Sequence, residues 1–172
     1  AIQYKRILLK VSGEALSGPK GTGFDEETIA SICAGIKAAH DLGAQIGSVV
    51  GGGNFWRGRS SGKMDRMDAD KIGMLATVMN ALAGKDALRQ QGVDAVVMTS
   101  SSAEVAECFS SDKAIAALES GKIVVFGGGT GNPIFSTDTA SALRALEIGA
   151  DAMFKATMVD GVYDKDPPST PT

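Results

Sequence analysis

Short runs of β-branched and aliphatic residues alternate with stretches of helical periodicity along the whole chain, and no feature narrows the fold more. Residues 6–11 (RILLKV) read as a first strand, and Ile29, Ile32, Cys33 and Ile36 then follow the i, i+3, i+4, i+7 spacing of one helix face. Asp25 is placed to cap that helix and Gly43 to end it. A second strand spans residues 45–50, followed by a glycine loop and a long helix with Ile72, Leu75, Met79 and Leu82 on one face, stopped by Gly92. Strands over 95–99, 123–126 and 151–155 alternate with helices over 112–118 and 139–148. Strand and helix in strict alternation predict a three-layer α/β/α sandwich around a mostly parallel central sheet. The glycine-rich stretch 17–23 and the polar stretch 59–63 read as mobile loops.

At 172 residues with 44% hydrophobic, the chain can bury one core, which predicts a single domain. A formal charge of −3, from 17 basic against 20 acidic residues, argues against a surface that coats nucleic acid. The apolar runs are too short to cross a membrane, and the amino-terminal residues lack a signal-like stretch. Cys33 and Cys108 lie far apart without metal-ligand spacing, so the expectation is free thiols in a reducing, cytoplasmic setting. His40, the sole histidine, falls in a predicted helix and reads as a surface residue, and no metal-ligating residues are assigned.

In an open parallel sheet, ligands bind beyond the carboxyl ends of the strands, and that is where the glycines gather. Ser12-Gly13 follows the first strand, Gly51-Gly52-Gly53-Asn54 the second, and a run from Gly127 through Gly131 to Asn132 the fourth. Backbone N–H groups unhindered by side chains suit phosphate, although each loop alone could be no more than a tight connection. Two common phosphate motifs are absent. Gly62-Lys63, Gly84-Lys85 and Gly121-Lys122 lack both the upstream glycine and the following Ser or Thr of a P-loop. Gly129-Thr130-Gly131 continues into Asn132-Pro133-Ile134 and not into the dinucleotide fingerprint.

Lys10, Arg57 and Lys155 stand beside these loops, as phosphoryl transfer needs, since that reaction depends on positioning and charge neutralisation. A lysine at a strand end is otherwise simply solvated. Among the carboxylates available to orient lysines or hold Mg²⁺, Asp70 opens the long helix, Asp160, Asp164 and Asp166 lie in the last segment, and Asp138 stands at a helix start, where it could cap the helix, face a ligand, or both. Met64, Met67, Met74 and Met79 read as core or subunit-contact residues, and Phe55 and Trp56 as packing below a ligand or on a neighbouring subunit.

The strings KRILLKVSGEAL (5–16), GGGNFWRG (51–58), GMLATVMNAL (73–82), GTGNPIFSTDTASALRA (129–145) and KATMVDGVYDKDP (155–167), in this order and spacing, resemble the bacterial uridylate kinases of the amino-acid kinase family. The resemblance covers essentially the whole chain. It implies a cytoplasmic transferase of pyrimidine biosynthesis that passes the γ-phosphoryl group of MgATP to UMP by direct in-line transfer. It assigns ATP contacts to Lys10, Ser12 and Gly13, with Lys10 the principal catalytic cation. Gly52 would contact UMP, Gly53 and Arg57 would flank the transferring phosphoryl group, and Asp70 would hold the ribose. Thr130, Gly131, Asn132, Pro133, Ile134, Phe135, Ser136 and Thr137 would surround UMP, and Asp138 would organise the catalytic groups. Thr157, Tyr163 and Asp166 would receive the adenine nucleotide.

The same resemblance implies a homohexamer, inhibition by UTP and activation by GTP. It also implies that residues 1–172 form one amino-acid kinase domain whose UMP-binding part is largely complete and whose ATP lobe is cut short after Thr172. Alternatives are a sister enzyme acting on acetylglutamate, carbamate or aspartate, and a nucleotide-sensing or oxyanion-storing protein on the same scaffold. Asp70 and the GTGNPIFSTD loop favour a nucleotide acceptor, and Lys10, Arg57 and Asp138 together favour catalysis.

Overall fold

A computed structural model describes residues 2–56, 62–100 and 104–156. Along the chain it runs through β1 (Arg6–Val11), a 3₁₀ segment (Gly13–Lys20), α1 (Glu26–Asp41), β2 (Gln45–Val50), α2 (Arg66–Gln90), β3 (Ala95–Thr99), β4 (Glu107–Cys108), α3 (Ser111–Glu119), β5 (Ile123–Gly127), α4 (Thr137–Glu147) and β6 (Ala152–Ala156). The strands form one sheet in the order β4-β3-β5-β2-β1-β6, and every pairing is parallel.

Because side chains alternate across a strand, near-continuous apolar strands feed two cores at once. On one face Ile46, Val50, Ile123 and Val125 pack with Ile29, Cys33 and Ile36 of α1 and Ala81 and Leu88 of α2. On the other, Leu8, Val49, Val124 and Phe126 pack with Ala114 and Leu118 of α3 and with Ile148 just past α4. Each of the fully buried Leu and Ile side chains contributes about 1.5–3 kcal/mol, so the three expected layers follow from the sequence alternation. Gly43, with φ of 101°, and Gly92, with φ of 80°, end α1 and α2 as expected.

Three local expectations change. The stretch 17–23 is not all loop: a 3₁₀ segment continues to Lys20, its Pro19 and the non-helical Gly18 preventing an α-helix. A two-residue strand, β4, extends the sheet beyond β3 where the sequence offers only a polar stretch. The third concerns α2, where three of the four residues of the expected apolar stripe point away from the sheet, Leu75 64% exposed, Met79 46% and Ile72 36%, while Leu82 packs against the core. Its buried face consists of Ala69, Ala76, Thr77, Val78, Asn80, Ala81 and Leu88. The helix lies so near the strand ends that a Cβ on Gly52 would stand 2.9 Å from the Gly73 carbonyl oxygen, and one on Gly127 would stand 3.0 Å from Val78 Cα. Contact that close admits small side chains and excludes large ones.

Candidate active site

Lys10, one residue before the end of β1, stands opposite Lys155 of β6 in the parallel register. Since both residues project to the same side of the sheet, their ammonium groups converge, and Asp138 in the first turn of α4 lies between them. Lys10 Nζ is 3.3 Å from Asp138 Oδ1, and Lys155 Nζ donates to Asp138 Oδ2 at 2.8 Å. Lys10 is nearly buried, whereas about half of each of the other two side chains meets solvent. Burial acts to raise the Asp138 pKa, but the hydrogen bond from Lys155 and the charges of Lys10 and Lys155 outweigh it, holding the carboxyl below its ordinary value. One carboxylate thus orders two cations that would otherwise repel each other.

Asp138 is available for this because it does not cap the helix. Ser136 Oγ accepts from the Thr139 N–H at 3.1 Å, and α4 begins at Thr137, two residues before the expected start. Of the two roles open to Asp138 at the sequence level, it takes the one facing the strand ends.

The β1 and β2 loops meet backbone to backbone. A Cβ on Gly13 would lie 2.4 Å from the Gly51 carbonyl oxygen, so only glycine permits the approach. Beside them a cleft is lined by Gly52, Trp56, Asp70, Thr77, Asn132, Pro133, Phe135 and Thr137, among others. It unites Gly52, Asp70, Asn132, Pro133, Phe135 and Thr137, six of the residues expected around UMP.

Ile134, in the same loop, instead turns its side chain outward, 62% exposed. Its φ of 79° is unusual for a β-branched residue. Its N–H donates to Asp70 Oδ2 at 2.8 Å, and Arg66 Nε donates to the same oxygen at 3.2 Å. Asp70, which also lines the cleft, therefore ties the β5–α4 loop to the start of α2. Thr130 bonds within the loop, its hydroxyl accepting from the Asn132 N–H at 3.2 Å, and Gly131 donates to the Gly128 carbonyl at 3.1 Å. Arg144 of α4, 4% exposed, reaches the Gly129 carbonyl at 3.5 Å, with its guanidinium 3.9 Å from the centre of the Phe109 ring.

Ser12 makes no side-chain cap to the 3₁₀ segment, and a Cβ on Gly53 would meet Glu14 Oε1 at 2.6 Å. Arg57, Thr157, Tyr163 and Asp166 lie outside the described residues, as do Asp160 and Asp164.

Sequence reasoning gave Lys155 no definite partner, and it overlooked Thr77 and Asn80. The register of β1 with β6 reveals the first. The other two are polar residues in the apolar middle of α2, a signal present in the sequence but masked by the larger side chains around them.

An all-parallel sheet with glycine loops and paired lysines at the carboxyl ends of its strands defines a phosphate-handling α/β scaffold, and comparison with known proteins narrows it. The amino acid kinase family model matches residues 5–172. The structure is similar to that of UMP kinase from Bacillus anthracis, with a TM-score of 0.90 and 40% sequence identity, covering 95% of this chain and 69% of that one. It is also similar to UMP kinase from Ureaplasma parvum, with a TM-score of 0.87 and 32% identity, covering 94% of this chain and 73% of that one. The chain belongs to the amino acid kinase family.

Proposed function

We propose that this chain catalyses transfer of the γ-phosphoryl group of MgATP to UMP, giving UDP and ADP, as a UMP kinase of pyrimidine nucleotide synthesis. The observation that carries the reading is the Lys10–Asp138–Lys155 cluster beside a cleft that already unites Asp70 with Asn132 and Thr137. Likeness to two UMP kinases supports the choice of acceptor.

The chemistry follows from charge. The acceptor oxygen of a nucleoside monophosphate is already anionic at neutral pH, so no strong general base is needed, and the barrier lies in bringing two phosphates together. Lys10, almost buried near the end of β1, is placed to neutralise charge growing on the transferring group, with Lys155 as a second cation and Asp138 as the organiser of both. Arg57 is assigned to the same centre. Gly13, Gly52 and Gly53 bring backbone N–H groups to the phosphates, and Asp70 accepts hydrogen bonds from ribose hydroxyls. Ser12, Thr157, Tyr163 and Asp166 complete the ATP contacts, and Thr130, Gly131, Ile134, Phe135 and Ser136 join the wall around UMP.

Mg²⁺ enters with ATP as part of the substrate. Among the described residues no group of three or more His, Cys, Asp or Glu could hold a metal ion, and both Asp138 oxygens are engaged by lysines. A homohexameric, cytoplasmic enzyme inhibited by UTP and activated by GTP belongs to the same proposal.

The test is ADP release from MgATP with UMP, dUMP, CMP, acetylglutamate, carbamate and aspartate offered separately. UMP-dependent release with the amino acid and carbamate acceptors inactive is expected. Release with one of those acceptors but not with UMP would defeat the reading.

A further inference from the structure

Under the two strand-end loops that flank the cleft, α2 buries two polar side chains one turn apart, Thr77 at 3% exposure and Asn80 at 0%. Asn80 Nδ2 donates to the Gly51 carbonyl at 2.6 Å and to Asn54 Oδ1 at 2.7 Å. Asn54, itself buried, donates back to Asn80 Oδ1 at 3.0 Å and to the Gly23 carbonyl at 2.9 Å. The orientation of Asn80 is dictated by these partners, since the flipped amide would set its oxygen against the Gly51 oxygen.

Thr77 is equally constrained. Its hydroxyl donates to the Met74 carbonyl at 2.6 Å, leaving a lone pair that accepts the buried Gly128 N–H at 2.8 Å. One residue therefore holds the β2 glycine loop by a carbonyl, and the other holds the β5 glycine loop by an N–H. An apolar helix face would pack as well without either group, and burying polar atoms without partners is costly. What these bonds add is a fixed distance and orientation between two loops from different strands.

We propose that Thr77 and Asn80 are positioning residues that set the β2 and β5 glycine loops at one separation, Asn80 aligning the phosphate-facing loop and Thr77 the loop around the acceptor nucleotide. The kinetic part of this proposal rests on the UMP kinase reading, whereas the structural part does not. Trp56 supplies an independent probe: it is the sole tryptophan, its backbone N–H donates to the Gly52 carbonyl at 3.0 Å, and its indole N–H donates to the Ala69 carbonyl at 2.9 Å. A shift of the β2 loop must move it.

The experiment compares wild type, Asn80→Leu, Thr77→Val and Thr77→Ser, well below the melting temperature of each. Asn80→Leu should lower kcat about 10- to 100-fold with KM for UMP within about threefold, and shift Trp56 emission without ligand. Thr77→Val should raise KM for UMP about tenfold with kcat nearly unchanged, and Thr77→Ser, which keeps the hydroxyl, should restore KM to within about threefold of wild type. If Asn80→Leu does not fold, Asn54→Ser breaks the Asn54–Asn80 bonds from the loop side while leaving the Asn80–Gly51 bond, and should change kcat and Trp56 emission in the same direction by less. Lowered melting temperatures with wild-type kcat, KM and Trp56 emission would reduce both residues to structural props and overturn the proposal. Wild-type protein that releases no ADP with UMP would defeat the functional reading alone. Trp56 emission would then decide the positioning claim, and an unchanged spectrum in Asn80→Leu would end it.

Discussion

The two halves of the site are built from different materials. Where β1, β6 and α4 meet, two lysines and an aspartate carry formal charge, and two of the three are about half exposed. Where β2, β5 and α2 meet, the polar groups beneath the loops are neutral, fully buried and hydrogen-bonded at every atom named. Charges near water can adjust as a reacting group changes its own charge, whereas buried neutral bonds hold geometry and tolerate little displacement. On the proposed reading the first half supplies charge to the transferring phosphoryl group, and the second sets geometry, its β5 side around the acceptor and its β2 side, held by Asn80, toward the phosphates. Substitutions should therefore separate into those that alter turnover and those that alter acceptor affinity.

The largest effect is expected from Lys10→Ala. Removing a preorganised cation from a phosphoryl-transfer centre should lower kcat about 100- to 1000-fold, while UMP affinity measured by titration calorimetry stays within about threefold. An equal loss in both would erase the division between halves. Asp138→Asn follows, with turnover down roughly 10- to 100-fold, because Lys10 and Lys155 lose the charge that keeps them together. Its pH signature is distinct. Since the Asp138 pKa is lowered on folding, its contribution to stability is complete above its ordinary value of 3.8 and lost as pH falls through the lowered one. The stability gap between wild type and Asp138→Asn should accordingly shrink as denaturation is measured at successively lower pH below 3.8. A gap that stays constant there would mean that the carboxylate has no net electrostatic partner.

Asp70→Ala acts on the other half. It removes the proposed acceptor for ribose and frees the Ile134 N–H and Arg66 from their common oxygen. KM for UMP should rise about tenfold, from loss of a charge-assisted hydrogen bond, with kcat less affected. A fall in kcat at unchanged KM would place Asp70 with the charged half.

Strand positions were legible in the sequence because a strand buried on both faces needs an uninterrupted apolar run, and β1 and β2 fall on the residues anticipated. The glycine loops were legible because so many glycines at strand ends exceed what turns require. The orientation of α2 was not. Periodicity locates an apolar stripe but does not reveal that close approach to the Gly52 and Gly127 backbones would force Ile72, Leu75 and Met79 outward in favour of alanine, threonine and asparagine. Nor could spacing pair Lys10 with Lys155, since that depends on β6 returning to the far side of β1.

The smallest effect tests how the charged half is held in place. Ser136 caps α4 through the Thr139 N–H, and Asp138 follows two residues later. Ser136→Ala should cost about 1 kcal/mol of stability, the usual loss for a missing cap. Asp138, a carboxylate in the first turn, would then be drawn toward an exposed N–H at the helix start, in competition with its two lysines. If that competition is real, kcat should fall about two- to threefold, and Ser136→Asp, which restores a cap, should recover the loss. A variant with reduced stability but wild-type kcat would mean that the lysines hold Asp138 more firmly than the helix end can, making the charged cluster independent of its cap.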